Sequence, residues 1–145
     1  MPGGYGKLVN LAIGGKMVKA NMRTVKEIMN EYNSKITDLD KEIPITTKVA
    51  TNACIFKICL DNRGILYYDI VPSPLGTFYF EWNTKDYSVG VSIGETPIIE
   101  VETLNKKDNK CIITKYHWQK DIEKLLNMLK ELNNEKERKN FNKCI

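Results

Sequence analysis

The chain contains no apolar run approaching the roughly 20 residues that a membrane-spanning helix requires. A helical membrane protein is therefore excluded, and no membrane partner is expected. Close cysteine pairs are also missing. Cys54, Cys59, Cys111 and Cys144 include no Cys-x-x-Cys, and zinc sites usually rest on such pairs. On a helix, Cys54 and Cys59 would point about 140 degrees apart. No metal and no cofactor is expected. With no leader sequence read in "LVNLAIGG", the expected location is the cytoplasm and the cysteines are read as free thiols.

Histidine occurs once, as His117. A Cys111–His117 pair is conceivable as catalytic chemistry, but any fold with four cysteines and one histidine permits such a pairing by chance. Phosphate-binding loops are missing too. "GGYGKL" and "IGGKMV" place Leu8 and Met17 where the motif needs a hydroxyl, and there is no Gly-x-Gly-x-x-Gly. Arginine is scarce. Arg23, Arg63 and Arg138 are the three among 22 basic residues, and the rest are lysine. Nucleic-acid contact favours the planar guanidinium fork, so the net charge of +4 is a weak pointer to nucleic acid.

What is present is enough for one modest core: 145 residues, of which 42% are hydrophobic. Residues 1–20 are glycine-rich, carry Lys7, Lys16 and Lys19, and contain no acid. They read as a flexible basic arm with a short strand at Leu8–Ile13, preceding a single α+β domain over 21–145. Met22, Val25, Met29 and Tyr32 recur at helical spacing and predict a helix over 22–36. Ile45, Val49, Ala53, Phe56 and Leu60 fall on one helical face and favour a helix over 46–60, with Thr46 or Thr47 at its start and Gly64 at its end. The alternating "ACIFKICL" leaves a strand open there.

Phe78, Phe80 and Trp82 then alternate with Thr77, Tyr79 and Glu81. Val89, Val91 and Ile93 alternate with Ser88, Gly90 and Ser92. Ile99 and Val101 alternate with Glu100 and Glu102, and "KCIIT" follows a turn. These runs predict an antiparallel meander of three or four strands with one wet face and one covered by helices. Phe78, Phe80 and Trp82 belong to the core, which leaves Tyr79 and Glu81 on the face that can bind something. Trp118, Ile122, Leu125, Leu129 and Leu132 predict a long helix from Tyr116 to about Arg138, fraying after Leu132. Leu126 and Met128 widen its apolar stripe and are read as a surface shared with a second copy or a protein partner.

The stretch "PSPLGTFYFEWNTKDYSVGVSIGE" resembles a pattern in small uncharacterised bacterial proteins of mobile or accessory regions, sometimes near toxin–antitoxin loci. There, P-x-P-x-G-T precedes a strand ending in Glu-Trp or Asp-Trp, and a second strand reads S-V-x-I-G. Pro72, Pro74, Gly76, Thr77, Glu81, Trp82, Ser88, Val89, Ile93 and Gly94 carry the resemblance, which runs from about 45 to 95. It implies an antitoxin, immunity or defence-associated role and assigns no reaction. The expected function is thus a non-enzymatic protein-interaction module. The alternative is a small nucleic-acid-binding protein that tracks phosphates with Lys7, Lys16, Lys19, Arg23 and Lys26.

Overall fold

The computed structural model describes residues 8–13, 16–21, 24–36 and 42–143, with side chains for 24–36 and 42–135. Within the basic arm, strand β1 (Leu8–Ile13) stands where a strand was expected. It pairs antiparallel with β2 (Lys16–Asn21), a partner that the glycine-rich sequence did not announce. Helix α1 (Val25–Lys35) starts at Thr24, whose hydroxyl accepts the Glu27 N–H at 3.1 Å. Helix α2 (Thr47–Asn62) starts in the same way at Thr46 and ends at Arg63, with Gly64 in the left-handed region at φ +68°. The helical spacing of the apolar residues thus prevails over the strand alternative for 45–60. Asn33 ties the two helices together: its amide donates to Ile45 O and accepts from Ile45 N–H, both at 2.9 Å.

Five strands follow in meander order, where three or four were expected: β3 (Asp69–Pro72), β4 (Phe78–Asn83), β5 (Tyr87–Ile93), β6 (Ile98–Asn105) and β7 (Lys110–His117). The unexpected strand is β3. It is only four residues long and ends in proline, which normally argues against a strand. Proline is tolerated here because it falls at a position whose N–H would point away from β4. Ser73 N–H donates to Thr77 O at 2.8 Å, which makes residues 73 and 77 a hydrogen-bonded pair and turns the backbone hydrogen-bonding positions of Ile70 and Pro72 away from β4. The "PSPLGT" motif is therefore the β3–β4 turn. Gly76 sits there at φ +77°, where a Cβ would come within 2.9 Å of the Ile43 side chain.

All three helices lie on one face of the sheet. Phe78, Phe80 and Trp82 point into that layer, as expected, and Trp82 is fully buried. Phe56 of α2 packs edge-on against Phe80, with ring centroids 4.9 Å apart, and Tyr68 packs against both Phe80 and Trp82. The Trp82 indole N–H has no acceptor among the described residues.

Helix α3 runs over Ile122–Lys143, six residues later at its start than the periodicity implied. Tyr116 and His117 belong instead to β7, paired with Ile99 and Ile98. The helix also continues beyond Leu132, where fraying was expected. Its anchor is a polar residue: Asn133, fully buried, accepts the Leu66 and Tyr67 N–H groups at 2.7 and 3.1 Å and donates to Gly64 O at 3.1 Å. Lys130 adds a bond to Arg63 O at 2.9 Å. An apolar-stripe reading passes over such an anchor because asparagine breaks the stripe.

Two stability predictions follow from this packing. Asn133→Ala strands two backbone donors and should cost about 3 kcal/mol in denaturant unfolding, against a few tenths for an exposed asparagine. Trp82→Ala should cost about 3–5 kcal/mol. Trp82→Phe should cost clearly less, because it removes an orphaned donor along with the ring area.

Candidate interaction surface

Strand alternation puts a second set of side chains on the face that no helix covers. The register aligns Asp69 with Glu81, Glu81 with Gly90, and Gly90 with Glu102, so three carboxylates stand in one row across four strands. The next row runs Tyr79, Ser92, Glu100 and Lys115. Glycine at 90 leaves a gap between Glu81 and Glu102, and a Cβ there would meet the Tyr79 ring at 3.9 Å. The result is a shallow depression of about 340 Å³ walled by Tyr79, Glu81, Ser88, Glu102 and Leu104 over Gly90. Tyr79 and Glu81, singled out from the sequence, are both half-buried here and side by side on one strand. Asp69 could not be picked out because its strand was not recognised. Gly90 could be read only as an alternating strand residue, not as the floor of a depression.

The electrostatics of this face are one-sided. Glu81 titrates above the usual carboxylate range, first because it is partly buried and then because Asp69 lies directly opposite. Like charges placed opposite each other on a sheet are destabilising. The basic side chain in these rows is Lys115, 4.0 Å from Glu100 at an exposed pair. Cys111 donates its thiol hydrogen to Glu102 at 3.3 Å, and that bond pushes the thiol up, away from the thiolate.

The Cys111–His117 pairing is contradicted by this geometry. The two residues lie six apart along β7, which separates them by about 20 Å at strand rise. The His117 ring is engaged locally, accepting the Gln119 N–H at Nδ1 over 3.1 Å. Among the described residues no group of three His, Cys, Asp or Glu side chains is placed to hold a metal ion.

The remaining predicted site residues are dispersed. Leu126 is corrected from a shared surface to the core of its own chain: it is 1% exposed. The reason is spacing: Leu125, Leu126, Leu129 and the buried Asn133 lie within one face of α3, so the buried stripe takes in Leu126. Met128 is half-buried and lines a groove of about 610 Å³ between α3 and the helix-side face of β5–β7, with Val89, Thr103, Tyr116, Glu131 and Leu132. Of the basic set, Lys26 is exposed on α1, Lys16 and Lys19 lie on β2 with side chains outside the described ones, and Lys7 and Arg23 fall outside the described residues. Tyr67 and Tyr68 are buried, so their rings are not available to stack on bases. No helix among the described residues is long and apolar enough to cross a membrane.

These features define an α+β protein with a half-covered meander sheet. Comparison with protein-family models, with curated proteins and with solved structures found no match.

Glu81 makes a pH prediction. With its folded-state value raised, the native state keeps a proton that the unfolded chain releases just above the ordinary glutamate range. Stability therefore falls as pH rises through that window. Glu81→Gln should melt higher than the parent at neutral pH, and the difference should vanish below the ordinary glutamate value. Equal melting at both pH values would contradict the crowding of Glu81 by Asp69.

Proposed function

We propose that the protein is a non-enzymatic interaction module whose open sheet face engages a basic segment of a protein partner. The observation that carries this reading is a depression floored by Gly90, walled by Glu81 and Glu102 and flanked by Tyr79, with Asp69 beside Glu81 in the same row. A lysine or arginine entering it meets carboxylates on two sides and an aromatic face beside them. It would also relieve the repulsion between Asp69 and Glu81, so part of the stability lost to that pair returns on binding. An antitoxin, immunity or defence-associated setting is what the P-x-P-x-G-T resemblance implies, and we propose it on that ground alone.

The alternative, nucleic-acid binding, draws support from the β1–β2 ribbon, a shape that a duplex major groove admits. The open face itself argues against phosphate contact there, since its row of carboxylates repels a polyanion.

The two readings separate in one titration series. A lysine- and arginine-containing peptide should shift the amide resonances of Tyr79, Glu81, Gly90 and Glu102. Glu81→Lys should weaken that binding at least tenfold while circular dichroism is unchanged. Duplex DNA that binds instead, with an affinity falling steeply in salt and lost on deletion of residues 1–20, would favour the alternative. Peptide shifts confined to other surfaces would contradict the open-face site.

A further inference from the structure

β7 is the last strand of the sheet, and the direction of its backbone groups can be fixed residue by residue. Trp118 N–H donates to Pro97 O at 3.0 Å, which makes residues 118 and 97 a hydrogen-bonded pair in the β6–β7 register. By the alternation of an antiparallel ladder, Lys110, Ile112, Thr114 and Tyr116 then turn their N–H and C=O groups toward β6. Cys111, Ile113, Lys115 and His117 turn theirs outward. The outward groups of His117 are occupied: its N–H donates to Asp121 Oδ2 and its C=O accepts from Asp121 N–H, both at 2.8 Å. Those of Cys111, Ile113 and Lys115 have no partner among the described residues. The same strand exposes two isoleucines, Ile112 at 64% and Ile113 at 63%, one on each face of the sheet.

The other end of the sheet is finished differently. β3 has four residues, and one of its two outward positions is Pro72, which has no N–H to offer. One edge is therefore blunted, while the other is eight residues long and presents an unpaired, apolar-flanked ladder. An unpaired ladder is satisfied most fully by another strand.

We propose that the β7 edge docks a second copy of this chain, the two β7 strands pairing antiparallel about a two-fold axis at Ile113. The strand is complementary to itself in that register. Ile113 faces Ile113 of the second copy, and Cys111 faces its Lys115 in both directions, so all three outward residues form hydrogen-bonded pairs. A slip of two residues one way brings in His117, whose groups are already held by Asp121. A slip the other way brings in Asn109, which sits in the β6–β7 turn at φ 58°.

The charges agree with this register. Lys115 of the second copy comes beside Cys111, the residue bonded to Glu102. Its Lys110 comes opposite Tyr116, on the groove that Glu131 lines. No two like charges face each other, and both exposed isoleucines are covered, Ile112 by Thr114 of the second copy. The edge meets the open-face depression only at Glu102, through its bond to Cys111, and the pairing rests on backbone groups that the depression does not use, so the two proposals are tested separately.

The test is the association state of the purified full chain by sedimentation equilibrium over a dilution series. The wild type should show a concentration-dependent dimer. Ile113→Pro deletes one outward N–H and no bond to β6, so it should be monomeric throughout with unchanged circular dichroism. As a second readout that does not depend on tolerance of proline, Ile113→Cys in a Cys111→Ser background should form an interchain disulfide on mild oxidation. Ile112→Cys in the same background should not. A wild type that stays monomeric across the series would overturn the proposal and leave the edge to a strand of another protein. A folded Ile113→Pro that still dimerises, or equal cross-linking at 112 and 113, would overturn it as well.

Discussion

The contact on which the architecture depends is the edge-on meeting of Phe56 with Phe80, at 4.9 Å between ring centroids. It joins the middle of α2 to the middle of β4. Around it gather Tyr68 against Phe80 and Trp82, and Trp118 against the far side of Phe56. These rings come from the second helix, the loop after it, the second strand of the meander and the turn before α3. Once they pack, the helices are committed to one face of the sheet. Burial of aromatic area supplies the driving force, and the edge-to-face geometry supplies the specificity of placement. Asn133 then secures α3 by satisfying backbone groups of the 64–67 loop, a polar clasp at the rim of an apolar layer.

Commitment to one face has a consequence for the other. Strand alternation obliges every second residue of β4, β5 and β6 to face away from the helices. Those residues include Tyr79, Glu81, Ser88, Gly90, Ser92, Glu100 and Glu102, which are polar or small apart from the tyrosine, with Ile98 and Leu104 toward the two ends of β6. A face needed only for solubility would have no reason to set Asp69 opposite Glu81 at a cost in stability. The sheet is thus finished on one face and one edge. Its open face and open β7 edge are the places where further chemistry can attach.

Much of this was legible in the sequence, and the failures have physical causes. The helical spacing from Ile45 to Leu60 and the alternation from Phe78 to Val101 both follow directly from burial on one side, and both were readable. β3 was hidden by its length and by Pro72, whose tolerance depends on hydrogen-bond phase, a property of pairing and not of composition. The start of α3 was misplaced because Trp118 and Ile122 fit a helical spacing by coincidence, while Tyr116 and His117 pair with β6. Leu126 was read at the surface because the stripe was centred on Trp118, which lies outside α3, while the buried residue on the other side of Leu126's face, Asn133, is polar. The depression was half visible: Tyr79 and Glu81 follow from alternation, whereas Gly90 and Glu102 join them, and Asp69 comes to stand beside Glu81, only through register.

The central claim is that the sheet ends at β7 in an unsatisfied edge of defined phase. Residue-resolved amide exchange on dilute protein tests it most directly. The account predicts an alternation along one strand: fast exchange at Cys111, Ile113 and Lys115, and slow exchange at Ile112, Thr114 and Tyr116, with His117 protected by Asp121. Raising the concentration should protect the three fast amides selectively. Uniform protection along β7 at every concentration, or fast exchange at the even-numbered residues, would contradict it.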